Sequence, residues 1–111
     1  MDLVNDLLAK QNELNISVKS LRKTSEEYAN AYTKYRIALS QELLKLKDEG
    51  MSATLAYDVA RGKDNIARLK YDEICKEGIY KANQEAINSI KLQIKVLEGQ
   101  ISREWANIKS D

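Results

Sequence analysis

Apolar residues along this chain recur at alternating spacings of three and four, the signature of helices that bury one face. Leu7, Leu14, Leu21, Tyr28 and Tyr35 fall at every seventh position, and Val18, Tyr32, Leu39 and Leu46 occupy companion positions four residues after a repeat position. Gln11 and Ser25 interrupt this stripe, which drifts beyond Tyr35 onto Leu39, Leu43 and Leu46 as an undistorted helix would. The pattern predicts a helix over about 2–49. A second stripe, Ile87, Ile90, Ile94, Leu97, Ile101, Trp105 and Ile108, with Leu69, Ile79 and Tyr80 less cleanly before it, predicts another over about 64–109. At about 1.5 Å rise per residue each would extend roughly 70 Å.

The punctuation between the stripes predicts how the chain turns. There is no proline, so nothing forces a break in a helical hydrogen-bond ladder. Gly50 and Gly62 stand where the periodicity stops, as helix ends at which a left-handed residue costs least. Ser52 is an N-cap candidate, so 52–61 reads as a short bridging helix on which Leu55, Tyr57 and Val59 dock downward. Asp64 is the N-cap expected for the second long helix. The fold class expected is all-α: a single domain over 1–111, built as a long antiparallel helical hairpin with a short bridging helix. Gly78 and Gly99 lie inside periodic segments, and a register centred on the bridge sets Tyr35 against Gly78 and Leu14 against Gly99. There the small residue would admit a large one.

Two helices leave the flanks of Ile94 or Trp105 wet, and a half-buried Leu or Ile contributes well under the about 1.5–3 kcal/mol of a fully buried one. Leu8, Ile37, Leu44, Leu92 and Val96 widen the apolar surface beyond a single stripe. The expectation is therefore a homodimer or higher oligomer, an oligomeric helical bundle whose seam is built from Leu7, Leu14, Leu21, Tyr28, Tyr35, Leu39, Ile87, Ile90, Ile94, Leu97, Ile101 and Trp105.

Composition narrows the chemistry. Among 111 residues there is no histidine and one cysteine, Cys75, which removes most zinc sites, thiol–imidazole pairs and disulfide frameworks. Glu26, Glu27, Glu42, Asp72, Glu73, Glu77, Glu98 and Glu104 lack the histidine partners of di-iron bundles. Most have a lysine or arginine three or four residues away, as solvated faces do. Cys75 has no imidazole to activate it, the hydroxyl residues lack a base, and the glycines are scattered singly rather than grouped to cradle phosphate. No catalytic, metal or cofactor-binding residues are expected, and the chain reads as a non-enzyme. A net charge of +1 does not favour a simple polyanion binder. The apolar runs are too short for a membrane span, and the opening residues lack the basic and apolar regions of a signal peptide, so the expected location is cytoplasmic. Asn15-Ile16-Ser17 matches a glycosylation acceptor but lies mid-helix in a chain with no export signal.

Six tyrosines and no phenylalanine are the unusual feature. Tyr28, Tyr32 and Tyr35 share a helix face, and Tyr80 is expected to approach Tyr32 across the hairpin. The spacing favours a core layer with hydroxyls at its rim over an exposed stacking platform. Basic residues gather near the turn, at Arg61, Lys63, Arg68 and Lys70, with acids interleaved. Tyr32, Tyr80, Arg61, Lys63, Arg68 and Lys70 are the candidate ligand or partner surface.

The stretch Glu49-Gly50-Met51-Ser52-Ala53-Thr54-Leu55-Ala56-Tyr57-Asp58-Val59-Ala60-Arg61-Gly62, the segment 85–94 and the ending Gln100-Ile101-Ser102-Arg103-Glu104-Trp105 resemble small uncharacterised helical proteins of phages and prophages of Gram-positive bacteria. The resemblance covers most of the chain, implies a viral setting often near replication and recombination genes, and supplies no catalytic residues. Three functional expectations follow: an oligomeric interaction protein acting on another protein, a sponge for a nucleotide signal in phage counter-defence, and an accessory single-stranded DNA-binding protein. The neutral charge argues against the last.

Overall fold

The computed structural model describes residues 2–110, with side chains from 2 to 108. Among the described residues it is all-helical: α1 (Leu3–Asp48), α2 (Ala53–Arg61) and α3 (Asp64–Ser110). Each boundary has a local cause. The Asp2 carboxylate accepts from the amides of Val4 and Asn5 at 3.1 and 3.3 Å, capping α1. Helix α1 ends in a Schellman turn, with Gly50 left-handed at φ +94, its amide on Lys47 O at 2.9 Å and the Met51 amide on Leu46 O at 3.2 Å. Met51 then packs against the core cluster that contains Leu46. Ser52 caps α2, its hydroxyl accepting from the Leu55 amide at 3.4 Å.

Two terminal expectations are corrected. Gly62 is right-handed, at φ −86, so the turn it makes is open to other residues. Asp64 is the first residue of α3, not its cap: its carboxylate pairs with Arg68 Nε at 2.8 Å, one helical turn on. Its charge still suits the positive end of the helix.

The chain divides into two compact units. One is Thr24–Tyr80; the other joins the chain up to Lys23 with that from Lys81 onward. The core of Thr24–Tyr80 is Tyr35, Leu39 and Leu46 of α1, Ala56 and Ala60 of α2, and Ile66 of α3, with Ala38, Leu43 and Leu69 partly buried against it. Ala56 and Ala60, one turn apart on α2, are 0% exposed. Methyl side chains on that face let α2 lie close against the long helices. Leu55, Tyr57 and Val59 lie off that face and are exposed, so the expectation that they dock downward is overturned. A nine-residue helix has one narrow buried face, and the two alanines occupy it.

In the other unit Leu3, Ile87, Ile90 and Ile94 are buried, while Leu7, Leu14, Leu21, Leu97 and Ile101 are half-buried. Asn83 Nδ2 donates to Ser17 O at 3.0 Å, joining the two chain segments of that unit. Trp105 and Ile108 are exposed instead of continuing the seam.

Of the expected companions four residues after the repeat, Leu39 and Leu46 are buried, but toward the start of α1 the inward companions come three residues after it. Ala31 is buried and Lys10, Ser17 and Ala38 are half-buried, whereas Val18 and Tyr32 are exposed. Both spacings are compatible with a helical stripe, and at 17 and 31 the smaller Ser and Ala fit between the large repeat residues where Val18 and Tyr32 do not. Gln11 thus interrupts nothing; it lies on the exposed side.

The predicted register is also corrected. Tyr35 lies against Lys70, whose ammonium sits 4.8 Å from the ring centroid, roughly two turns before Gly78 on α3. A Cβ built at Gly78 meets nothing within 4 Å, and at Gly99 only the guanidinium of Arg103 on its own helix. Neither glycine receives a large partner. Because Gly78 is exposed, mid-helical and unhindered, Gly78→Ala should raise stability by about 0.5–1 kcal/mol, read as a higher denaturant midpoint. Ile66→Ala, at a side chain only 1% exposed, should lower it by about 2–5 kcal/mol in the same measurement.

Candidate functional site

Two features stand out from the helical frame, a polar layer in Thr24–Tyr80 and an apolar groove in the other unit. The polar layer begins with Tyr28, whose hydroxyl donates to Glu77 Oε2 at 2.6 Å. The Tyr28 ring lies 5.9 Å from that of Tyr80, tilted by 30°, within the range of favourable aromatic pairs. Tyr80 therefore partners Tyr28, and Tyr32 is exposed instead of meeting it, a direct consequence of the shifted register. One turn along, Glu73 is 5% exposed and accepts from Lys70 Nζ at 2.7 Å, while the same ammonium faces the Tyr35 ring. A charge this far from water needs a partner, and Lys70 supplies it.

The layer explains why tyrosine replaces phenylalanine at these positions. The ring fills the seam and the hydroxyl or ring face engages a charged group from α3. Sequence spacing placed Glu73 on a solvated face with its neighbours; it lies instead on the buried stripe, in step with Ile66 and Leu69. Its position seven residues after Ile66 was the available signal.

The basic residues near the turn are engaged within the chain. Lys63 Nζ pairs with Glu42 Oε1 at 2.6 Å and Arg68 with Asp64, and the Arg61 guanidinium lies 5.4 Å from the Tyr57 ring centroid. The hydrogen bond from Lys63 is the largest influence on Glu42 and holds its carboxyl below the ordinary range; the reciprocal bond raises Lys63. Lys70 is raised by Glu73 in the same way. These cations are distributed over separate acid partners and one tyrosine ring, so they do not converge on a shared anion-binding point.

The groove is built from Asp6, Ala9 and Lys10 on α1 and from Ser89, Leu92, Gln93, Val96 and Leu97 on α3. It encloses about 520 Å³ and is open to solvent. Leu92 and Val96 on its wall are 64% and 59% exposed. Among the described residues no cluster of three or more metal-ligating side chains occurs, and no helix is long and apolar enough to cross a membrane. Cys75 is exposed, and the Tyr71 phenol that bonds to it has its pKa raised by that contact.

No protein-family model, curated protein or solved structure was found to match this chain. Function must be read from the geometry.

The Tyr28 hydrogen bond carries a pH signature. Bonding to the Glu77 carboxylate, then burial, push the Tyr28 phenol up to about 12. A folded-state value above the unfolded 10.0 means the bond stabilises the fold fully below pH 10 and its contribution disappears as pH rises through 12. Tyr28→Phe should lower the melting temperature near neutrality and flatten its dependence on pH over the 10–12 window, as followed by circular dichroism against the parent chain.

Proposed function

We propose that this protein is a helical hairpin, its long helices antiparallel, that assembles with itself and acts by binding another protein, with no chemistry of its own. The observation that carries this reading is the amount of large apolar side chain left outside the buried stripe on all three helices. Leu8, Val18, Ile37 and Leu44 on α1, Leu55 and Tyr57 on α2, and Tyr71, Ile74, Leu92 and Val96 on α3 are all exposed. Scattered apolar side chains are ordinary on a protein surface, but so many large ones on a chain of this size mark surfaces that other proteins cover.

The buried polar layer fits the same reading. Tyr28–Glu77 and the seat of Lys70 on the Tyr35 ring join α1 to α3 in one alignment, which suits a rigid support for exposed faces. The helical phage and prophage proteins that the sequence resembles suggest a setting in the cytoplasm of a bacterial host. The nucleotide-sponge and single-stranded DNA readings are less favoured, because Lys63, Arg68 and Lys70 already hold carboxylates and Arg61 covers Tyr57.

The α2 face offers the sharpest test. Leu55 and Val59 lie one turn apart, exposed, on a helix whose opposite face is buried. The chain should sediment as an oligomer and retain a defined protein from a host extract. Leu55→Asp with Val59→Asp should abolish that retention and leave helicity unchanged. A monomeric chain that retains nothing beyond a blank column would remove the reading.

A further inference from the structure

Burial is divided unequally between the two units of the chain. We infer that the protein opens in two steps with a one-way dependence. The segments up to Lys23 and from Lys81 onward separate while Thr24–Tyr80 stays folded, and Thr24–Tyr80 unfolds only after they have opened. This goes beyond the protein-binding reading above and does not rest on it. Opening uncovers Ile87, Ile90 and Ile94, so the surface offered to a partner changes with the state of the chain ends.

The first difference lies in packing. In Thr24–Tyr80 three helices enclose one cluster, in which Ala56, Ala60 and Ile66 are fully or almost fully buried. The other unit has only two helical segments. Ile87, Ile90 and Ile94 are buried there, but Leu7, Leu14 and Leu21 of α1 are half-buried. Incomplete burial contributes less per side chain, so this unit opens more readily. The apolar stripe is also broken where the units divide. Residues 22–27 of α1 contain no apolar side chain, and residues 81–85 of α3 contain only Ala82. Tyr28 closes the Thr24–Tyr80 side of this break, with its hydroxyl on Glu77 at 2.6 Å and its ring 5.9 Å from that of Tyr80.

Chain topology sets the direction of the dependence. Thr24–Tyr80 is one continuous segment whose helices are joined by short turns, so its contacts can form without the chain ends. The two end segments are separated along the chain by all of Thr24–Tyr80. Pairing them while that segment is unfolded would close a long flexible loop at the full entropic cost. Once Thr24–Tyr80 is folded, that loop is already closed. The ends therefore need Thr24–Tyr80, and Thr24–Tyr80 does not need the ends.

Native-state hydrogen exchange of the full-length chain, read by mass spectrometry, tests this order. Corrected for intrinsic rates, amides over 7–20 and 87–104 should exchange about tenfold or more faster than those over 31–46 and 56–69. The change should come as a step near Lys23 and Lys81. Two mild core substitutions then separate one-way dependence from its alternatives. Ile66→Val should speed exchange by about two- to tenfold within Thr24–Tyr80 and leave the ends at the parent rate. Ile90→Val should speed both regions by a similar factor, because Thr24–Tyr80 unfolds only from the state in which the ends are already open. One protection level throughout, or a smooth decline from the termini inward, overturns the inference. So does an Ile66→Val effect that reaches the ends, which marks a single cooperative unit. An Ile90→Val effect confined to the ends marks two independent units and overturns the one-way dependence.

Discussion

The close seat of α2 is the constraint on which the turn end of this protein depends. Ala56 and Ala60 are fully buried against Tyr35, Leu39, Leu46 and Ile66. A larger side chain at either alanine would lift α2 away and open the core, because interiors are packed too densely to absorb extra methylenes. The Schellman turn at Gly50 delivers the chain to this seat, and the Ser52 cap starts the helix there. With both ends of α2 fixed, the residue of α3 that meets a given residue of α1 is fixed as well. That is why Lys63 finds Glu42, Lys70 finds Tyr35 and Glu77 finds Tyr28.

The polar contacts of this unit differ in what they contribute. Lys63–Glu42 has a half-exposed lysine, so its strength is screened by water and is modest. Lys70–Glu73 buries a carboxylate, whose desolvation offsets much of the attraction; its value lies in what removal of either partner would leave behind. Tyr28–Glu77 is a short phenol–carboxylate bond, stronger than a neutral pair of the same geometry. Lys63–Glu42, Tyr28–Glu77 and the seat of Lys70 on the Tyr35 ring cross to α1 and so penalise a slipped alignment, whereas Lys70–Glu73 lies within α3. A seam of leucine and isoleucine alone would tolerate a shift by one heptad, and the polar layer does not.

Periodicity made the existence, order and ends of the three helices legible, and the buried positions of Tyr35, Leu39, Ile87, Ile90 and Ile94 with them. It was misleading where two stripes were open to the same helix. Val18 and Tyr32 are more apolar than Ser17 and Ala31, yet the smaller residues face inward. Hydrophobicity ranks transfer from water, whereas a seam between helices is also selected by the volume left between its large side chains. Glu73 was read as solvated from its charge alone, although it lies on the buried stripe and is neutralised there by the Lys70 ammonium. The groove had no sequence signature beyond Leu92 and Val96 lying off the main stripe.

The amino-acid sequence alone determined that the described residues form three helices, where these start and stop to within a residue or two, and that the chain carries more apolar surface than one stripe needs. Those properties follow from local forces: capping bonds, the freedom of one glycine, and a repeat of three and four. Only the tertiary structure decided which of two neighbouring stripes is buried, which residue of α3 meets each tyrosine, and which basic groups are already satisfied. Those outcomes depend on volumes and charges brought together from positions far apart in the chain, and spacing along one helix contains no term for its neighbour.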